Sequence, residues 1–296
     1  MLLIKTYRVK MRIAFLITAY NNFKHLKLLI DALNNGQADF YIHVDSKSQF
    51  NTKGFDYANV HFIKRIPVSW GGWSHQQAIL NLMLTAYKNK YDRYVLISGT
   101  DYPIRPNSFL FNKLEKRVEY LNLIKGFQTH KPEKRIRYYY FDGFDRRNLK
   151  LLKTKCYLKL ERLLRRFFIK RKYPFNTIYH GTTWWALSHE AINYILKFVD
   201  ENPKFVKFFK TSWCPEESFI PTILGNSKFK DDCVGNLTYS DWSKKPSPAF
   251  LDEQHVEMFQ QQHTFESPYG NYTPFFARKF SDNSMHLIDI IEQNLR

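Results

Sequence analysis

Three stretches in the first third of the chain set its pattern. Residues 12–19 (Arg-Ile-Ala-Phe-Leu-Ile-Thr-Ala), 39–45 (Asp-Phe-Tyr-Ile-His-Val-Asp) and 93–98 (Arg-Tyr-Val-Leu-Ile-Ser) are apolar runs of strand length. Between the first two, Phe23, Leu26, Leu29, Ile30 and Leu33 recur at helical spacing and share one face. Residues 74–90 carry a second helical pattern, and 60–63 form a short strand. Near-continuous apolar strands alternating with helices predict βαβ units. The fold class is therefore α/β, with a mostly parallel central sheet flanked by helices. Such sheets bind ligands beyond the carboxyl ends of their strands. Tyr20-Asn21, Asp45-Ser46 and Ser98-Gly99-Thr100-Asp101 fall at those ends.

The pattern changes after residue 120. Residues 128–147 are polar, aromatic and basic, and read mostly as loop. Residues 151–172 then mix Leu151, Leu152, Leu160, Leu163, Phe167 and Phe168 with Lys153, Lys155, Lys159, Arg162, Arg166 and Lys170. That is the composition of an interfacial amphipathic helix, or of a solvated surface helix. Residues 181–198 read as a strand running into a helix capped by Ser188, and another helix begins near Pro215. The tail adds 236–242, a helix over 252–262, and 275–280.

Composition narrows the class without deciding it. A chain of 296 residues, 44% hydrophobic and 17% aromatic, has ample material for a core. The formal charge of +18 calls for an anionic partner, whether nucleic acid, anionic lipid or a phosphorylated substrate. No run of about 18 apolar residues suggests a membrane span. Lys5, Arg8 and Lys10 precede an apolar run too short for a signal peptide, so residues 1–10 read as a basic extension. Cys156, Cys214 and Cys233 give neither a disulfide framework nor a zinc pattern, and a reducing, cytoplasmic setting is expected.

Six motifs then occur in order: His43-Val-Asp45-Ser-Lys47, Val68-Ser-Trp70-Gly-Gly, Ser98-Gly-Thr-Asp101-Tyr-Pro103, Gly181-Thr-Thr-Trp184-Trp185-Ala-Leu-Ser188, Cys214-Pro215-Glu216-Glu217 and Phe276-Ala-Arg278-Lys279-Phe280. Together they resemble the core-2/I-branching β-1,6-N-acetylglucosaminyltransferase family, which includes peptide O-xylosyltransferases, here as a bacterial-type member. The resemblance spans residues 11–282. It implies a GT-A-like nucleotide-sugar-binding fold in one domain over 11–296, with a nucleotide half over 11–105 and an acceptor half over 106–296. It also implies a UDP-sugar co-substrate, inversion at the anomeric carbon, and no cofactor or metal site. The Asp-x-Asp pattern by which most GT-A enzymes hold a divalent cation does not occur in this chain.

Inverting transfer is a single displacement in which a carboxylate takes the proton of the attacking hydroxyl; such a base contributes about 10²- to 10⁴-fold. The resemblance gives that role to Glu217. Taken alone, Glu216 and Glu217 would equally suit an acidic first helical turn, a role the resemblance leaves to Glu216. Lys279, with Arg278 beside it, matches the family's cationic element for the departing diphosphate. By residue type alone it is one basic pair among 45 Lys and Arg. The family's second cation is missing, because Thr238 stands there; Lys244, Lys245 and Arg278 are the candidates to replace it. Asp45 suits uracil or ribose, or a turn. Asp101 suits the donor sugar, or a structural contact. His130-Lys131-Pro-Glu133-Lys-Arg135 resembles the family's His-Lys-x-Glu segment, which implies contact of Glu133 and Arg135 with acceptor or donor sugar; taken alone it is a solvated charged loop. Trp184 and Trp185 could stack on a sugar, although strand alternation lets at most one reach it.

The expected donor is UDP-N-acetylglucosamine, with UDP-xylose as the alternative. The expected acceptor is a glycan or lipid-linked glycan of surface polysaccharide synthesis, met at an anionic membrane surface through 151–172. A basic nucleic-acid-binding protein is the rival class. The chain has no helix-turn-helix, RNP-like, KH-like or zinc pattern, so no nucleic acid is expected.

Overall fold

The computed structural model describes residues 11–167, 171–245 and 247–296. The basic extension 1–10, and Phe168 and Lys170 of the amphipathic segment, lie outside the described residues. The strands are β1 (Ile13–Ala19), β2 (Ala38–Val44), β3 (Val60–Phe62), β4 (Arg93–Ser98), β5 (Asp101–Pro103) and β6 (Glu119–Leu121). They continue as β7 (Ile124–Lys125), β8 (Tyr179–His180), β9 (Trp185–Ser188), β10 (Cys233–Val234), β11 (Thr238–Ser240) and β12 (Phe276–Arg278). Seven of them form one sheet in the order β10-β6-β9-β4-β1-β2-β3. Its neighbours are parallel except at β9, which runs against both β4 and β6. The α/β class and the mostly parallel sheet are those the hydrophobic pattern anticipates.

The continuous apolar runs follow from cover on both faces. Ile13, Phe15 and Ile17 pack on one side with Leu26, Leu29 and Leu33 of the Phe23–Leu33 helix. Ala14 and Leu16 face the other side, with Ile79 and Met83 of the Trp73–Tyr87 helix and Ile192 and Ile195 of the His189–Glu201 helix. Ser188 caps the latter, its Oγ accepting from Ala191 N at 3.1 Å. Charged groups inside the sheet are accounted for. Glu119 in β6 accepts from the Ser188 amide at 2.8 Å and lies 3.8 Å from Arg93, which donates to the Leu114 and Val118 carbonyls.

A small sheet, β11-β12-β5, carries the C-terminal motif to the end of the large one. Its register sets Arg278 opposite Asp101 on one side and opposite Ser240 on the other. The helix expected near Pro215 is two elements. Pro215–Glu217 is a single 3-10 turn, and the α-helix proper is Phe219–Gly225. Trp184 and Trp185 do not divide between core and cleft by alternation. Trp184 precedes β9, and both rings are buried in the same cluster.

Among the described residues, no helix is long and apolar enough to cross a membrane.

Candidate active site

Glu217 ends the 3-10 turn with about a quarter of its side chain exposed (24%). Its Oε2 accepts from Lys131 Nζ at 2.7 Å and from Arg135 Nη1 at 2.6 Å. Its Oε1 has no partner among the described residues. Lys131 also donates to the Gly181 carbonyl, and Gly181 N donates to Glu217 O at 2.8 Å. A Cβ at Gly181 would lie 2.1 Å from Asn122 O, so only glycine fits this knot.

Burial pushes the Glu217 carboxyl up, but Lys131 and Arg135 outweigh it and hold the group below the usual carboxylate range. Lys131 is itself lowered, because burial exceeds the help from Glu217. The pairing thus favours the carboxylate more than the ammonium. Two cations converge on one carboxylate oxygen, whereas Lys131 is almost fully enclosed (5% exposed).

The acceptor-side candidates separate. Arg135 is committed to Glu217 and to the His130 carbonyl. Glu133 accepts from Arg137 Nη1 at 2.7 Å and from Tyr173 Oη at 2.7 Å. Two further groups border the Glu217 knot that the sequence did not suggest. Tyr269 lies with its ring 5.9 Å from Lys131 Nζ and its hydroxyl buried without a partner; His180 Nε2 is likewise buried and unpaired. Burial lowers His180 to about 4, so the ring is neutral. Glu216 lies in the first turn of the 3-10 helix, and its Oε1 lies 3.5 Å from His75 Nδ1.

Trp184 connects this knot to the cationic motif. It lies three positions after Gly181, at most about 11 Å of chain. The Arg278 guanidinium lies 4.4 Å from the centroid of the Trp184 ring. Arg278 Nε is 3.1 Å from Asp101 Oδ1, an ion pair without a well-aligned hydrogen bond. Asp101 is fully buried, and its Oδ2 accepts from Ser98 N at 2.9 Å. Burial raises the Asp101 carboxyl despite Arg278 and Ser98, and burial lowers Arg278 despite Asp101.

Lys279 is half-buried, and its ammonium has no hydrogen-bonded or ion-paired partner among the described residues. Burial lowers it, and the charges of Arg278 and Arg147 lower it further. Arg147 is a neighbour the sequence did not single out; its guanidinium lies 5.4 Å from the Trp70 ring centroid. Lys244 is instead drawn 3.4 Å from Asp252. Thr238 is buried in β11.

Asp45 sits just past β2, where its Oδ1 accepts from Lys47 N at 3.0 Å and Val68 N at 3.3 Å. Lys47 Nζ lies 3.5 Å from its Oδ2. The glycines of the Trp70-Gly-Gly motif serve close packing. Gly71 has φ of +68° and lies against the Trp213 ring, while a Cβ on Gly72 would lie 2.2 Å from Asp142 Oδ1. Asp142 in turn accepts from Ser74 N in the first turn of the Trp73–Tyr87 helix, tying the basic loop to the nucleotide side. Among the described residues, no three of His, Cys, Asp and Glu converge as metal ligands would.

The Core-2/I-Branching enzyme family model matches residues 13–264. The chain is similar to xylosyltransferase 2 of Homo sapiens, 26% identical over 307 residues that cover 96% of this chain and 34% of that protein. It is similar to xylosyltransferase 1 of Mus musculus, 26% identical over 296 residues covering 91% and 29%. The chain thus spans about a third of the length of the curated relatives it matches. Among solved structures, mouse xyloside xylosyltransferase 1 in its apo form aligns at a TM-score of 0.35 with 10% identity, over 88% of this chain and 97% of that one.

Proposed function

The chain belongs to the Core-2/I-Branching enzyme family, a glycosyltransferase family, and from that premise we propose that it is an inverting, metal-independent transferase of UDP-sugars. The observation that carries the proposal is Glu217. Both cations hold its Oε2, and its Oε1 is left for an acceptor hydroxyl. In the proposed reaction the hydroxyl oxygen bonds to the anomeric carbon as the bond to the diphosphate breaks. Its proton passes to Glu217 Oε1, and UDP leaves with the electron pair of the broken bond. A carboxylate held this acidic accepts the proton late, once bonding to carbon has made the hydroxyl more acidic. Lys131 and Arg135 fix the carboxylate's orientation, and Lys279, with Arg278 and Arg147, supplies the positive charge that a departing diphosphate needs.

Asp101 acts in this reading by holding Arg278, and Trp184 by supporting the guanidinium from its ring face. Trp185 acts as core. Asp45 remains the candidate for the uridine side, since it lies past the end of a parallel strand. The donor is UDP-N-acetylglucosamine on the family's first reading. A second reading, UDP-xylose, is supported by the names of the relatives in Homo sapiens and Mus musculus. The proposed acceptor is a glycan or lipid-linked glycan of a surface polysaccharide, elongated at the cytoplasmic face of a membrane.

The diphosphate assignment has a direct test. Lys279→Ala is expected to weaken UDP binding about 10- to 100-fold, the range for losing one hydrogen bond between charged groups. Titration calorimetry of UDP with both chains reads this out. Equal affinities would move the diphosphate away from Lys279.

A further inference from the structure

The Leu152–Arg166 helix is turned the wrong way round for an ordinary surface helix. Its two fully buried residues, Thr154 and Glu161, are both polar, while Tyr157, Leu158 and Leu164 beside them are half-buried, the Tyr157 ring stacking on Phe144 at 4.9 Å. Thr154 Oγ1 donates to the Asp145 carbonyl at 3.0 Å, and Glu161 accepts from Arg146 Nη1 at 2.9 Å and from the Phe141 amide at 2.8 Å. The opposite side carries the apolar stripe. Leu152 is 75% exposed, Leu163 48% and Phe167 67%, with exposed Cys156 between them at the same helical spacing. Beside this stripe runs a second, of Lys155, Lys159, Arg162 and Arg166, all exposed and without a carboxylate partner among the described residues. Glu161 is the helix's one acidic residue, and it points inward.

A surface helix normally buries its apolar stripe against the core. Here two polar anchors and the stacked Tyr157 ring hold the helix down and leave Leu152, Leu163 and Phe167 facing out, an arrangement that needs a partner to cover them. We infer that this face is a membrane-docking surface, with Leu152, Leu163 and Phe167 entering the headgroup boundary of an anionic leaflet and the four-cation stripe meeting its phosphates. The two stripes together choose the occupant. A second copy of the chain would set like-charged stripes against each other. Nucleic acid would satisfy the cations while leaving the leucines against sugar and phosphate. The inference rests on the proposed lipid-linked acceptor only for its purpose; adsorption itself requires no catalysis.

The test uses the full chain with Cys233→Ser, labelled at Cys156 with a polarity-sensitive fluorophore, since Cys214 is buried. It is mixed with vesicles of phosphatidylcholine alone or with phosphatidylglycerol added. Cosedimentation with the anionic vesicles and a blue shift at Cys156 are expected, and added salt should weaken both. Lys155→Gln with Arg162→Gln is expected to weaken binding about 25-fold, from about fivefold per cation. Leu152→Ser with Leu163→Ser should abolish the blue shift while UDP affinity stays native, which verifies folding. No vesicle binding, binding that survives the leucine changes, or a dimer that the leucine changes dissociate would each overturn the inference. Loss of UDP binding with vesicle binding intact would count against the catalytic reading alone.

Discussion

Glu217→Gln is expected to lower turnover about 10²- to 10⁴-fold while UDP affinity stays at the native value. Gln keeps the shape of the side chain and still accepts from Lys131 and Arg135, but it cannot take a proton from the acceptor. Turnover of the native chain should hold steady through neutral pH. It should fall only once acid reaches below the ordinary carboxylate range, because Lys131 and Arg135 outweigh burial and depress the Glu217 pKa. The sign for stability is the same. A carboxyl depressed in the folded state contributes stability above its unfolded pKa, and that contribution is lost as pH falls through the folded value. UDP release from a UDP-sugar, followed across pH for both chains, measures the effect. Native-like turnover in the Gln variant would remove Glu217 from the role of base.

Asp101→Ala is expected to cost about 3–5 kcal/mol of stability, the range for breaking one side of a buried ion pair. Its carboxylate is fully buried and faces Arg278 at 3.1 Å, so its removal leaves a guanidinium enclosed without an anion. Ser98 N also loses its acceptor. Asp101→Asn should cost less, since an amide oxygen can still accept from Ser98. Urea denaturation of the three chains reads the difference. A donor-sugar contact at Asp101 without a structural role would instead leave stability native in the Ala variant.

The parts of the fold legible in the sequence are those with long, two-sided burial. β1, β2 and β4 are six or seven residues each and almost wholly buried, so their runs stand out. β6, β7, β8 and β10 have two or three residues and carry no periodicity to detect. Glu119 made β6 harder still, because its burial is tolerated only through Ser188 and Arg93, both distant in sequence. The helices Asn107–Leu114 and Pro203–Phe209 are too short for a convincing stripe. Met285–Asn294 does bury Leu287, Ile288 and Ile291 at helical spacing, a stripe legible in the sequence.

The site divides in a similar way. Glu217, Arg278 and Lys279 sit in local motifs and were named by resemblance. Their partners come from remote segments: Lys131 is 86 residues from Glu217, and Arg135 is 82. Local patterning cannot report such pairs. Arg147 is one cation in a basic loop, and nothing in its neighbours distinguishes it. Amphipathy of the 152–166 helix was legible, but periodicity has no inside or outside. Only the burial of Thr154 and Glu161 reveals that the apolar stripe faces solvent.

The most direct test of the central claim is calorimetric titration of the purified chain with UDP, UDP-N-acetylglucosamine and UDP-xylose in EDTA. A metal-independent UDP-sugar transferase binds UDP and at least one of the two sugars without divalent cations, and the tighter sugar indicates the donor. Binding that appears only when Mn²⁺ replaces EDTA would contradict metal independence. No binding under either condition would contradict the UDP-sugar assignment itself.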